Sequence, residues 1–104
     1  MYVHATLELN YAGVGDFLAM APKLKGLCEE EGWKMVLGLL QQTGRFNTVI
    51  HIWKVRDMNH YHEVVQKLYS HPEIGGIFAV LAKAVEKETV VFADTTPYGD
   101  GVIS

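Results

Sequence analysis

Three stretches of this chain are apolar at both odd and even positions: MVLGLL at 35–40, TVIHIW at 48–53, and Val90, Val91, Phe92 and Ala93 in succession. Successive side chains of a β-strand point to opposite faces, so a sheet built from such strands has two faces that require burial. Helices cover one of them. At about 25 cal/mol per Å² of apolar surface, leaving the other in water forfeits many kcal/mol. A large exposed apolar face marks an interaction site. The simplest cover is the same face of a second copy, related by a two-fold axis. The expectation is therefore a homodimer in which two sheets enclose a barrel-like interior. A partner of different sequence is the alternative.

The remaining elements follow from periodicity. Residues 2–9 alternate cleanly, with Val3, Ala5, Leu7 and Leu9 on one side and Tyr2, His4, Thr6 and Glu8 on the other. After a glycine-containing turn at 12–15, apolar residues at three- and four-residue spacing predict a helix over 14–31. Pro22 falls inside it and predicts a kink or restart. Strands are expected over 33–42 and 48–55, joined by a Gly-containing loop at 43–47 as a hairpin. Asp57 is an N-cap for a helix that ends near His71-Pro72. Its stripe is Met58, Tyr61, Val64, Val65 and Leu68, while His60 and His62 read as surface residues. A short helix over 74–85, a last strand over 87–95 and a loop-like tail at 97–101 complete the chain. The order βαββαβ is the ferredoxin-like, split-βαβ arrangement: an α+β fold with a four-stranded antiparallel sheet and the helices on one face.

The 104 residues make one domain, 1–104, able to bury a core without disulfides or a metal. Net charge is −3 and the basic residues are scattered, which argues against nucleic acid as a partner. No apolar stretch is long enough to span a bilayer, and residues 1–10 lack the pattern of a signal peptide. Cys28, the single cysteine, fits a reducing cytoplasm and reads as a small buried helix residue rather than a nucleophile. The acidic run Glu29-Glu30-Glu31 reads as a solvated face. There is no Gly-rich phosphate loop, nucleophile elbow or CxxC motif, so no cofactor is expected.

The run Gly44-x-x-Asn47-x-Val49-x-His51-x-Trp53 resembles the hairpin signature of the NIPSNAP-like proteins, with Asp57-Met58 in place of that family's helix-starting Ser-Leu. Tyr2 and Phe17 fall where the family has aromatics, while Val3 and Ala5 stand where it tends to have Glu and Arg. A second, weaker resemblance is to the stress-responsive A/B barrel domains. It is carried by Tyr69-Ser70-His71-Pro72 and by Phe92-Ala93-Asp94-Thr95-Thr96-Pro97, with Ile74 where the second histidine of that pattern falls. Both families belong to the dimeric α+β-barrel superfamily. Membership implies a homodimeric barrel, and related barrels carry out isomerisation, cyclisation, dehydration and monooxygenation. Some hold haem. A role without catalysis, in ligand binding or in interaction, is equally implied by the NIPSNAP likeness.

His51 is the first candidate for chemistry, because an imidazole inside an apolar strand needs a partner or a reason. Neutral at pH 7, it suits a general base; the alternative is a core histidine bonded to a neighbour. If Val3, Ala5, Leu7 and Leu9 face the helices, then Tyr2, His4, Thr6 and Glu8 face the barrel interior. Taking Ile50 and Ile52 as the helix-facing pair of the third strand sends Val49, His51 and Trp53 inward as well. His51, His4 and Glu8 then form a catalytic set around an apolar cavity. Tyr2, Thr6, Trp53, Tyr69 and His71 are the candidate ligand contacts. No metal is expected, since no element carries a recognisable ligand spacing. The reading is a small barrel protein for a small, apolar, cyclic or aromatic molecule, either a cofactor-free enzyme or a binding dimer.

Overall fold

A computed structural model of the chain describes residues 1–99. Strand β1 is Tyr2–Leu9, helix α1 Val14–Glu30, β2 Lys34–Leu40, β3 Thr48–Lys54, α2 Met58–Tyr69, α3 Ile74–Ala84 and β4 Val85–Ala93. A 3₁₀ turn, Tyr11–Gly13, leads into α1. The strands lie in the order β2-β3-β1-β4, every neighbouring pair antiparallel. This is the ferredoxin-like α+β fold that the element order predicts. The tail expected at 97–101 has turn geometry through Gly99, and its last two positions lie outside the described residues.

The alternation in β1 sets the layering. Val3, Ala5, Leu7 and Leu9 are all buried, and Phe17 of α1 and Ala84 of α3 pack on the same side of the sheet. A second cluster joins Val3 to Cys28, Trp33, Trp53, Val55 and Val64. Entry into α1 depends on Gly13, where a Cβ would stand 2.5 Å from the Ala84 Cα. Asn10 ties the same corner, its Oδ1 accepting from the Gly13 N–H at 2.7 Å while its own N–H donates to the Ala84 carbonyl at 2.9 Å. Gly44 and Asn47 take positive φ in the hairpin loop, the conformation that favours these two residue types.

Several local expectations are corrected. Helix α1 runs unbroken through Pro22. Pro22 and Leu18, whose carbonyl loses its helical partner, are both exposed, so water can meet that carbonyl. Trp33 precedes β2 rather than opening it and turns into the core. Gln41 leaves the strand, its Nε2 donating to the carbonyls of Thr43 and Arg45 at 2.8 and 3.0 Å. Strand β4 leaves α3 directly at Val85, two residues earlier than expected. The acidic run is not merely solvated: Glu29 accepts from Lys25 and from the Met35 N–H, and Glu31 pairs with Lys67 at 2.9 Å. Among the described residues no helix is long and apolar enough to cross a membrane.

His60 is buried, not on the surface. Its Nδ1 accepts from the Arg56 N–H at 3.1 Å, which leaves Nε2–H to donate to the Glu31 carbonyl at 2.8 Å. One imidazole thus pins the end of α1 to the start of α2. Met58, the expected first residue of the buried stripe, is 47% exposed, and His60 fills the inward place instead. Replacing His60 by Ala removes two hydrogen bonds to part-buried backbone groups, at about 0.5–1.5 kcal/mol each, and the packing of a buried ring. His60→Ala should therefore lower unfolding stability by about 2–5 kcal/mol in a denaturant titration, whereas His62→Ala should change it by less than about 0.5 kcal/mol.

Candidate active site in the helix–sheet cavity

The register of the sheet places one weak row of side chains under the helices. Gly38 of β2, His51 of β3, Ala5 of β1 and Val90 of β4 are successive partners across the four strands. Rows on either side carry bulk: Met35, Trp53, Val3 and Phe92 on one, Leu40, Val49, Leu7 and Glu88 on the other. Two of the four residues in the central row have little or no side chain. The layer above does not fill the gap, and a cavity of about 270 Å³ remains between sheet and helices. This is near the lower end of small-molecule sites.

His51 stands in the floor of this cavity and is buried. Its ring lies 6.1 Å from that of Phe17 at 26°, and 6.1 Å from that of Trp53 nearly edge-on. Burial alone holds its pKa below the usual histidine value, so the ring is neutral at pH 7. Over the cavity, Trp33 and Tyr61 stack at 5.0 Å, 8° from parallel, and Tyr61 meets Phe92 edge-on at 5.0 Å. Phe78 and Leu81 of α3 close the roof.

Three further titratable groups matter. Cys28 lines the cavity, but burial and the neighbouring Glu29 push its thiol up to about 12, which leaves it a protonated, unreactive packing residue. Glu88 sits at the cavity mouth on β4. It is exposed to solvent, while the apolar wall behind it pushes its carboxyl above the usual range. The Tyr61 hydroxyl is raised by burial first and then by the charge of Glu88. Glu88 and Tyr61 therefore share one electrostatic environment.

The expected set of His51, His4 and Glu8 does not assemble. Ala5, not His4, is the partner of His51, and His4 pairs with Ile52. His51 points to the helices together with Val49 and Trp53; Ile50 and Ile52 point to the open face, the reverse of the assignment made from hydrophobicity. A single step of parity moves every side chain of a strand to the other face. The sheet separates the two histidines. Tyr2, His4 and Thr6 lie on the open face, and Glu8 is held there by Arg45, which also reaches Glu86. Trp53 and Tyr69 do line the cavity, on its helix side rather than in a barrel between two chains. His71 stays outside it, its Nδ1 accepting from the Glu73 N–H at 3.1 Å. Sequence reasoning missed Glu88 and Tyr61 as site residues. The available signal was Glu88 in phase with Val90 and Phe92 on an otherwise apolar strand face.

The same architecture recurs among solved structures. A protein of Agrobacterium tumefaciens superposes with a TM-score of 0.84 at 14% identity, covering 95% of this chain and 96% of that one. An uncharacterized NIPSNAP domain protein from Burkholderia xenovorans gives 0.79 at 19% identity, covering 94% and 97%. An antibiotic biosynthesis monooxygenase gives 0.67 at 14% identity, covering 92% and 98%. No curated protein matches the chain. The family model for NIPSNAP matches residues 2–96, nearly the whole sequence. With the hairpin signature around His51 and the ferredoxin-like sheet it organises, that match establishes that the chain belongs to the NIPSNAP family.

Proposed function

We propose that this protein binds a small, largely apolar, cyclic or aromatic molecule in the cavity between helices and sheet, with His51 as the proton acceptor on the cavity floor. One observation carries the reading: a buried, neutral imidazole faces a cavity of about 270 Å³ whose other walls are mostly aromatic and aliphatic. Flat rings of Phe17, Trp33 and Tyr61 favour a flat guest through offset and edge contacts. A neutral imidazole in a dry site takes a proton from an acidic C–H or O–H of the guest, the step that isomerisation and cyclisation share. A similar fold carries the name of an antibiotic biosynthesis monooxygenase, which lends support to a small-molecule ligand on this fold.

A second copy of the chain covers the open sheet face. What supports this is the apolar row Leu37, Ile52, His4, Val91 and its neighbours Leu39 and Ile50, all on the side without helices. Val91 is 48% and Leu39 44% exposed in the single chain. The face spans roughly 20 by 25 Å from strand spacing and length. With side-chain relief added, that approaches the ~800 Å² per partner of a standard interface.

Both tryptophans, Trp33 and Trp53, line the cavity, and the chain has no others. Tetralin, two fused rings without a polar group, should therefore change the intrinsic tryptophan emission saturably. Ala5→Leu, which fills the floor beside His51, should abolish that change while the circular dichroism stays native; an undiminished response in Ala5→Leu would refute the site. Exchange of the protons beside the 1-tetralone carbonyl in D₂O, followed by NMR, distinguishes the two roles. Acceleration that falls about 10²-fold in His51→Gln marks catalysis, and no acceleration marks a binding protein.

Light scattering at micromolar concentration should give twice the chain mass. Ile52→Lys, which places a charge in the middle of the open face, should give the monomer and leave the tetralin response in place. A wild-type monomer would refute the dimer.

A further inference from the structure

The cavity is described above by its apolar walls and by His51, yet its mouth carries a second polar group with no role in the fold. Glu88 lies on the helix side of β4, opposite Leu7, in phase with Val90 and Phe92. The other acidic groups of this sheet region have partners: Glu8 and Glu86 share Arg45. Among the described residues Glu88 has no ion pair, and burial is the one cause of its altered titration. Glu88 is exposed in the single chain, so water meets its carboxyl; a guest entering the cavity displaces that water and leaves the carboxyl to the guest's own polar group.

The register fixes how Glu88 stands relative to His51. The two residues lie on the strands that flank β1, at the levels of Leu7 and Ala5. Two strand spacings across and two residues along put their Cα atoms roughly 12 Å apart. Side chains reaching inward from both ends leave a gap that one or two fused rings fill. Between them lies Ala5, the smallest side chain of the β1 floor.

Resting on the cavity as the ligand site, we propose that the ligand is a cyclic ketone or quinone whose carbonyl oxygen is hydrogen-bonded by the Glu88 carboxyl while its ring lies over Ala5 against His51. A carbonyl oxygen only accepts, so Glu88 must donate and must hold its proton in the complex. An apolar environment favours that neutral acid, as the upward displacement of its titration indicates. The other titratable groups on the cavity are Cys28 of α1, His51 of β3, and Tyr61 and Tyr69 of α2; α3 and β1 contribute none. Of these, His51, held below the usual histidine value by burial, stands at the opposite end of the ring. A neutral imidazole at one end and a carboxylic acid at the other give the ligand a fixed direction.

The test compares 1-tetralone with tetralin, two guests of the same shape that differ by one carbonyl oxygen, by isothermal calorimetry over a pH series that starts at about pH 4, below the ordinary glutamate range. At the acid end of the series wild-type protein should bind 1-tetralone about 5–10-fold more tightly, the effect of one hydrogen bond formed in the complex. Glu88→Leu should erase this preference, so that the two guests bind equally. Glu88→Gln, whose amide still donates, should keep the preference. As pH rises through the Glu88 titration, wild type should lose the preference because the donor proton is lost, whereas Glu88→Gln should not. Equal binding of the two guests by wild-type protein, or a preference that survives in Glu88→Leu, overturns the assignment while leaving the cavity as an apolar site. Failure of both guests to bind overturns the cavity reading and this assignment with it. Tyr61→Phe is the control for the other hydroxyl at this end: loss of the preference in that variant with retention in Glu88→Leu would transfer the role to Tyr61.

Discussion

The pairing of Ala5 with His51 across β1 and β3 is the constraint on which the rest of the site depends. β1 has no freedom of parity, because Val3, Ala5, Leu7 and Leu9 are its only apolar side and must face the helices. Pairing Ala5 with His51 then sends Val49, His51 and Trp53 to the same side and Ile50 and Ile52 to the other. The imidazole, the cavity beside it and the apolar character of the opposite face are all consequences of that one register. The three residues sent inward also make the better core set where the helices press closest. Trp53 packs edge-on to Trp33 at 5.3 Å, and Val49 completes the cluster around Phe17.

Of the central row, Ala5, His51 and Val90 line the cavity, and Ala5 contributes only a methyl group to its floor. Gly38 and Ala5 flank His51, and a Cβ at Gly38 would already meet Met35 Sδ at 3.4 Å. A core selected for stability alone would place larger aliphatic residues at 5 and 51, since each buried methylene contributes about 0.8 kcal/mol. Here a polar ring and a methyl group stand where two leucines would fit. Thin packing in one row while the adjacent rows carry Trp, Leu and Phe is what supports the proposed reading of the cavity as a binding site. His51 also bears the desolvation that lowers its pKa without any charged neighbour to offset it. The protein thereby keeps an uncharged base in a place where a charged one would not be tolerated.

The fold was legible because its signals are local and redundant. Clean alternation in β1, glycine-marked turns, Asp57 as a cap whose carboxylate accepts from the His60 N–H at 2.7 Å, and Pro72 as a breaker each identify an element without reference to another. The site was legible only in part. His51, Trp53 and Tyr69 were recognisable as unusual residues, but their grouping required the facing of β3, and a strand apolar on both sides conceals its own parity. Ile50 and Ile52 are more apolar than His51, which is why hydrophobicity alone assigned them to the core. It failed because the core position at 51 is not dry packing but the wall of a cavity. His60 was misjudged for a related reason: a polar side chain that satisfies two backbone groups is as buried as a valine, and nothing in its neighbours along the helix announces those partners. Glu88 was hidden because its meaning comes from β1, the strand it pairs with.

β3 is therefore a strand with two duties on alternate residues. Val49, His51 and Trp53 belong to the cavity and the core; Ile50 and Ile52 belong to the face proposed to meet a second copy. Because neighbouring residues serve opposite sides, a change in the register of β3 would exchange the cavity-facing and open-face sets together. The central strands β3 and β1 are paired on both edges, so their displacement would break ladder hydrogen bonds on two sides at once. Edge strand β4, which carries Glu88, is paired on one side only and is exposed along most of its length. The polar groups at the two ends of the cavity thus sit on differently paired elements, His51 in the middle of the sheet and Glu88 on its border. On the proposed reading, the ligand's ring would lie against the doubly paired centre of the sheet and its carbonyl would meet the singly paired edge.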